Sequence, residues 1–65
     1  MKIKYFGDTD TLYVELDERF ISQSSDLDEN TVLDRDEKGN VCAITLEHAS
    51  TRIDFHDITI EGISN

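Results

Sequence analysis

Apolar side chains recur at every second position along most of this chain, and that period of two commits it to β-strands. Ile3 and Tyr5 share one face of a first strand, with Lys2 and Lys4 on the other. Gly7-Asp8-Thr9-Asp10 supplies turn chemistry, after which Leu12, Val14 and Leu16 alternate with Tyr13 and Glu15 as a half-buried partner strand. Phe20 and Ile21 anchor a weaker stretch, read as an irregular edge strand from about Ile21 to Asp26. The alternation returns from Thr31 to Asp36, with Leu33 inward and Asp34 and Asp36 outward. Glu37-Lys38-Gly39-Asn40 forms a hairpin turn in which Gly39 takes positive φ. Val41 to Glu47 follows, with Cys42, Ile44 and Leu46 on the core face. Ser50 is placed as the cap of a helical turn over Thr51 to Phe55, with Ile53 against the sheet, and Ile58-Thr59-Ile60 as a final strand ending near Gly62. The expected fold is mainly β, α+β at the margin: one antiparallel, meander-like sheet of four or five strands with short helical segments packed on it. Leu12, Val14, Leu33, Ile44 and Leu46 form its core. Residues 1–65 are read as one acidic domain, with no linker, repeat or low-complexity tract.

Size limits what such a sheet can do. A chain of 65 residues buries roughly 60% of the surface its unfolded form exposes, and one core of this size supplies about 3–5 kcal/mol of net stability. Substrate pockets of about 300–1,000 Å³ would hollow out much of that core. One cysteine excludes an internal disulfide framework, and Cys42 sits among Val41, Ala43 and Ile44 as a small buried hydrophobe. The basic start at Lys2 and Lys4 meets Gly7 and Asp8 before an apolar stretch can form, so neither a signal peptide nor a membrane span is expected. A reducing cytoplasm is the expected location.

Charge adds the sharper constraint. Fifteen acids against six Lys and Arg give a net charge of −9. Eleven of the acids lie between Asp8 and Glu37, against only Arg19 and Arg35, while the rest of the chain is balanced. Such a potential repels nucleic acid and anionic membranes and attracts basic protein surfaces.

Chemical constellations fail on spacing. Asp34-Arg35-Asp36-Glu37-Lys38-Gly39 resembles the start of a calcium loop, but Lys38 occupies a ligand position and Thr45 stands where a bidentate Glu is required. His48, His56 and Cys42 lack metal-site spacing. Clusters such as Asp8/Asp10, Asp17/Glu18 and Asp26/Asp28/Glu29 lie in polar, turn-rich sequence, where a carboxylate has no desolvated cleft to shift its pKa for acid–base work. No nucleophile elbow or phosphate loop is present. No enzyme activity, metal or cofactor is expected.

Lys2-Ile3-Lys4-Tyr5 with Thr9-Asp10-Thr11-Leu12-Tyr13-Val14 resembles a widespread family of small bacterial proteins of unknown function. So do Val32-Leu33-Asp34, Asp36, Gly39, Val41 through Ile44, Leu46, Ala49 and Ser50. The resemblance spans about residues 2–50 and rests on two hairpins rather than a site. Members are similar to antitoxins, since they often occur beside toxin-like genes, which implies protein binding and carries over no catalytic residue. Arg35 stands where an apolar residue is usual, and Asn30 where glycine is common. By physical type alone, the chain also resembles acidic anti-CRISPR proteins that mimic DNA.

Residues two apart on a strand lie about 6.6 Å from each other on one face, a spacing of the order of neighbouring phosphates. Glu15/Asp17 and Asp34/Asp36 are such pairs. The expected role is therefore a stoichiometric inhibitor, monomer or weak homodimer, whose acids occupy the nucleic-acid groove of a basic partner. The contact residues expected are Asp8, Asp10, Glu15 and Asp17, then Glu18, Asp26, Asp28 and Glu29, and finally Asp34, Asp36 and Glu37. The alternatives are an antitoxin against a basic toxin and an assembly module that pairs through an edge strand.

Overall fold

The computed structural model describes residues 1–62; the last three positions of the domain assigned above lie outside the described residues. Five strands form: β1 Lys2–Phe6, β2 Thr11–Glu15, β3 Gln23–Asp28, β4 Thr31–Arg35 and β5 Val41–Leu46. A 3-10 turn, Ala49–Thr51, follows them. They make one antiparallel sheet in the order β1-β2-β5-β4-β3. The hairpin β1–β2 and the three-strand meander β3–β4–β5 are thus zipped together along β2 and β5. The connection 16–22 carries the chain from β2 to the far edge of the sheet, past β5 and β4. Among the described residues no helix is long and apolar enough to cross a membrane.

Turn chemistry closes each hairpin. Asp10 adopts φ 52° at the end of the first turn, and Gly39 takes φ 86° in the last, a conformation only glycine enters without cost. Between β3 and β4 the carboxylate of Asp28 accepts the Asn30 amide at 2.8 Å, an Asx turn. The edge strand lies two residues later than the alternation suggests, because Phe20 and Ile21 belong to the connection and Ser22 N–H opens the pairing by donating to the Arg35 carbonyl at 2.9 Å.

Register assigns the two faces. Tyr5, Leu12, Leu46 and Thr31 form one cross-strand row, which ends on Asp28 across a register shift in β3, and Ile3, Val14, Ile44, Leu33 and Ser25 form the next. These rows make the apolar face. Its first row is closed by the chain after β5: the rings of Tyr5 and Phe55 lie 5.0 Å apart, Ile53 is half-buried, and Leu12 and Thr31 are buried. Arg52 clamps this cover by donating to the Asn30 and Glu47 carbonyls and to Thr31 Oγ1. The opposite face carries Lys2, Glu15, Ala43, Asp34 and Ser24 in one row and Lys4, Tyr13, Thr45, Val32 and Asp26 in another.

Two local expectations are corrected. Ser50 does not cap a helix: the 3-10 turn begins after His48, itself at φ 55°, and Ser50 lies inside it. Its amide and hydroxyl both donate to the Asp10 carboxylate, so the acceptor is remote in sequence. Ile58-Thr59-Ile60 is not a strand. Ile58 and Ile60 are 66% and 89% exposed, because a strand needs a neighbour for its backbone groups and none of the sheet's strands pairs with this segment.

Ile44 sits in the central strand but is only half-buried. Truncating it to Ala is expected to cost about 2 kcal/mol, the low end for core aliphatics. A denaturant midpoint shift corresponding to 4–5 kcal/mol would mean a deeper burial than a single chain provides.

Candidate protein-interaction surface

The eleven acids of the central segment divide by what their carboxylates touch. Four are held by the fold. Asp10 accepts the Tyr5 hydroxyl at 2.7 Å and the Ser50 hydroxyl at 2.6 Å. The Ser50 bond, then the Tyr5 bond, lowers its pKa, and the same contact raises that of Tyr5. Asp28 is likewise lowered, first by the Asn30 amide. Asp17 receives Arg19 Nε at 2.7 Å, and Arg19 Nη1 reaches on to Asp36 at 2.9 Å.

Asp36 corrects the outward orientation expected for it. The residue is 8% exposed. Its Oδ1 accepts the amides of Lys38 and Asn40, both at 2.9 Å, and its Oδ2 accepts Arg19 and Asn40 Nδ2. The physical reason is that β4 ends at Arg35 with a register shift, so strand alternation no longer aims the next side chain. The Asp36 carboxyl instead folds back onto its own turn, as Asp does at turn starts. Arg19 beside it, helped by the amide donors, holds its pKa at about 2. Asp34 and Asp36 are therefore not a surface pair, and neither are Glu15 and Asp17. The missed signal was present in Asp36-Glu37-Lys38-Gly39-Asn40, an acid two residues before an amide that needs an acceptor.

The remaining acids form the accessible set. Glu15 and Asp34 occupy the face opposite the apolar one, on strands separated only by β5 and Ala43. At normal strand spacing their backbones lie about 10 Å apart. Asp26 stands one row further, on edge strand β3. Asp34 accepts the Ser24 hydroxyl, which orients its carboxylate. Burial, then the negative charges of Glu15 and Asp34, raises the pKa of Tyr13 on the same face. Asp8, Glu29 and Glu37 sit on the three hairpin turns and Glu18 on the connection, all exposed. Lys2 and Lys4, on β1, end the acidic surface on that side.

Two recesses interrupt the surface. One, of about 400 Å³, is lined by Arg19, Phe20, Ser22, Asp36, Glu37 and Lys38. The second, of about 470 Å³, is lined by Asp28, Glu29, Asn30, His48, Thr51 and Arg52. Arg19 in the first is already committed to two carboxylates and Arg52 in the second to three backbone or hydroxyl oxygens, while Lys38 also lines the first. Among the described residues no three His, Cys, Asp or Glu side chains converge as metal ligands. Cys42 is free and buried, its Sγ 3.3 Å from the Asp34 carbonyl.

Neither a curated protein nor a solved structure matches this chain. A family model, described as protein of unknown function (DUF2283), matches residues 2–50, from the first residue of β1 into the 3-10 turn.

Proposed function

This chain belongs to the DUF2283 family, and we propose that it works by binding, with the acid-bearing sheet face against the basic nucleic-acid groove of a partner protein. The observation that carries this reading is the arrangement of Glu15, Asp34 and Asp26 on three strands of one sheet, on the side opposite its apolar rows. Turn acids at Asp8, Glu29 and Glu37 extend the negative field around its rim. A sheet fixes the spacing of its carboxylates, so the partner's Lys and Arg meet a preformed set, as they do on a phosphate backbone. The protein would act as a stoichiometric inhibitor of the DNA-mimic type. An antitoxin facing a basic toxin would use the same surface.

The test uses basic proteins retained from bacterial lysate on the immobilised chain and eluted with salt. Affinity of the best-retained one is expected to fall steeply between 50 and 200 mM salt and to be competed by duplex DNA. Asp26→Lys with Asp34→Lys should weaken it at least tenfold, each desolvated charge pair contributing about 1.5 kcal/mol or more. Asp57→Lys with Glu61→Lys alters the net charge equally, outside the sheet, and should do far less. Equal losses from both double variants, or salt-independent binding, would refute the assigned face. Retention without competition by DNA would point to the antitoxin instead.

A further inference from the structure

We propose that the free edge of β1 is a strand-accepting site and that its occupant is segment 57–61 of the same chain, docking as a sixth, antiparallel strand. β1 is paired on one side only, by β2, and all five of its residues are exposed. Alternate amides and carbonyls along its outer side are therefore free to take another strand. Asp57-Ile58-Thr59-Ile60-Glu61 has the alternation and the β-branched side chains of a strand. It lies undocked in the structure, with Ile58 66% and Ile60 89% exposed, so docking is an equilibrium between an open and a closed edge.

Position joins the segment to this edge. Phe55 rests on Tyr5 of β1, their ring centroids 5.0 Å apart. The Asp57 amide donates to the Asp54 carbonyl at 3.2 Å, so the chain turns beside β1 and continues from there. The three residues from Phe55 to Ile58 reach about 10 Å, two inter-strand spacings. The other free edge, β3, lies four spacings from β1, about 19 Å.

Charge selects the same pairing. β1 carries Lys2 and Lys4 and no acid, whereas the segment carries Asp57 and Glu61 and no base. Among the described residues none of these four makes a salt bridge. Lysines on an edge keep two such edges apart, so β1 favours a strand of opposite charge. β3, with Asp26 and Asp28, repels this one.

The faces also match. Setting Ile58 beside Tyr5 and Ile60 beside Ile3 lengthens both apolar rows by one β-branched residue, a favourable cross-strand neighbour. The same register puts Thr59 beside Lys4 and Glu61 beside Lys2 on the opposite side of the sheet. Lys2 neutralises Glu61 there, so the acidic face gains no charge and the inference stands apart from the partner proposed above.

Nuclear magnetic resonance of the full chain tests the docking. Backbone NOEs are expected between residues 58–60 and residues 3–5. The outward amides of β1 should exchange about tenfold more slowly than in Thr59→Pro, whose ring removes a ladder donor without touching the five-stranded sheet. Lys2→Glu should speed their exchange as well, and Lys2→Glu combined with Glu61→Lys should restore the protection. Equal exchange in the wild type and Thr59→Pro would overturn the proposal. So would NOEs that appear only between copies in a mixture of isotope-labelled and unlabelled chains, which would make the occupant a second chain.

Discussion

Replacing Asp36 with Ala is expected to lower the melting temperature by roughly 10 °C or more, the largest loss from any single carboxylate in the chain. Asp36 ties Arg19 of the connection 16–22 to the β4–β5 turn, and it satisfies two backbone amides of that turn. Its removal leaves the Lys38 and Asn40 amides without their acceptor and frees the cation that anchors the longest crossing in the sheet. Asp36→Asn should recover part of the loss, because one amide oxygen can still accept, but it cannot pair with Arg19. The same network sets the acid limit. A carboxyl whose pKa falls from 3.8 unfolded to about 2 folded contributes its full stability above the unfolded value. That contribution is lost as pH falls through the folded one. Asp10 and Asp28 are lowered in the same direction. Circular-dichroism melts should therefore lose stability progressively between about pH 4 and pH 2, and less so in Asp36→Asn. A variant melting with the wild type at pH 7 would refute the structural role of Asp36.

The second large effect is expected at Ala49. The residue is completely buried, its amide donates to the Asp10 carbonyl, and its own carbonyl accepts the amides of Arg52 and Ile53. It is the pin by which the chain after β5 turns back over the first apolar row. Ala49→Asp would place a carboxylate at a fully buried position next to the Asp10 backbone, where the Asp10 carboxylate already serves Tyr5 and Ser50. About 3 kcal/mol or more is expected, from unpaired buried charge, which is most of what a domain this small possesses. Ala49→Ser adds a single hydroxyl and should cost far less. Urea titrations of the two variants test this directly. An unchanged midpoint for Ala49→Asp would mean that the segment 49–55 does not dock on the sheet.

Strand content was readable because alternation is a local property. Ile3/Tyr5, Leu12/Val14 and Ile44/Leu46 each state which face of their strand is apolar, and a hairpin turn between two such runs leaves little choice of register. Gly39 was identifiable for the same reason. The edge strand lies two residues beyond the expected span from Ile21 to Asp26 because Gln23-Ser24-Ser25-Asp26 has no apolar alternation to mark its limits. The acid surface was legible only as a total. Of the pairs expected to stand side by side, Glu15 and Asp34 do face solvent from one side of the sheet. Their companions Asp17 and Asp36 are consumed by Arg19, a residue that local patterning marks only as one cation among acids.

By itself, then, the sequence determined that this chain forms antiparallel strands, where the first and last hairpin turns fall, which face of β1, β2, β4 and β5 is apolar, and that its central half is negative. These follow from chemistry within a few residues. The tertiary structure alone decided that β5 inserts between β2 and β4, that Asp10 caps a turn forty residues away, and that Asp36 is buried. It also left Ile58 and Ile60 without a strand to join and half of the apolar face without a cover. Each of these depends on which distant segments meet. That outcome is set by the free energy of long-range pairing summed over the whole sheet, which local alternation does not encode.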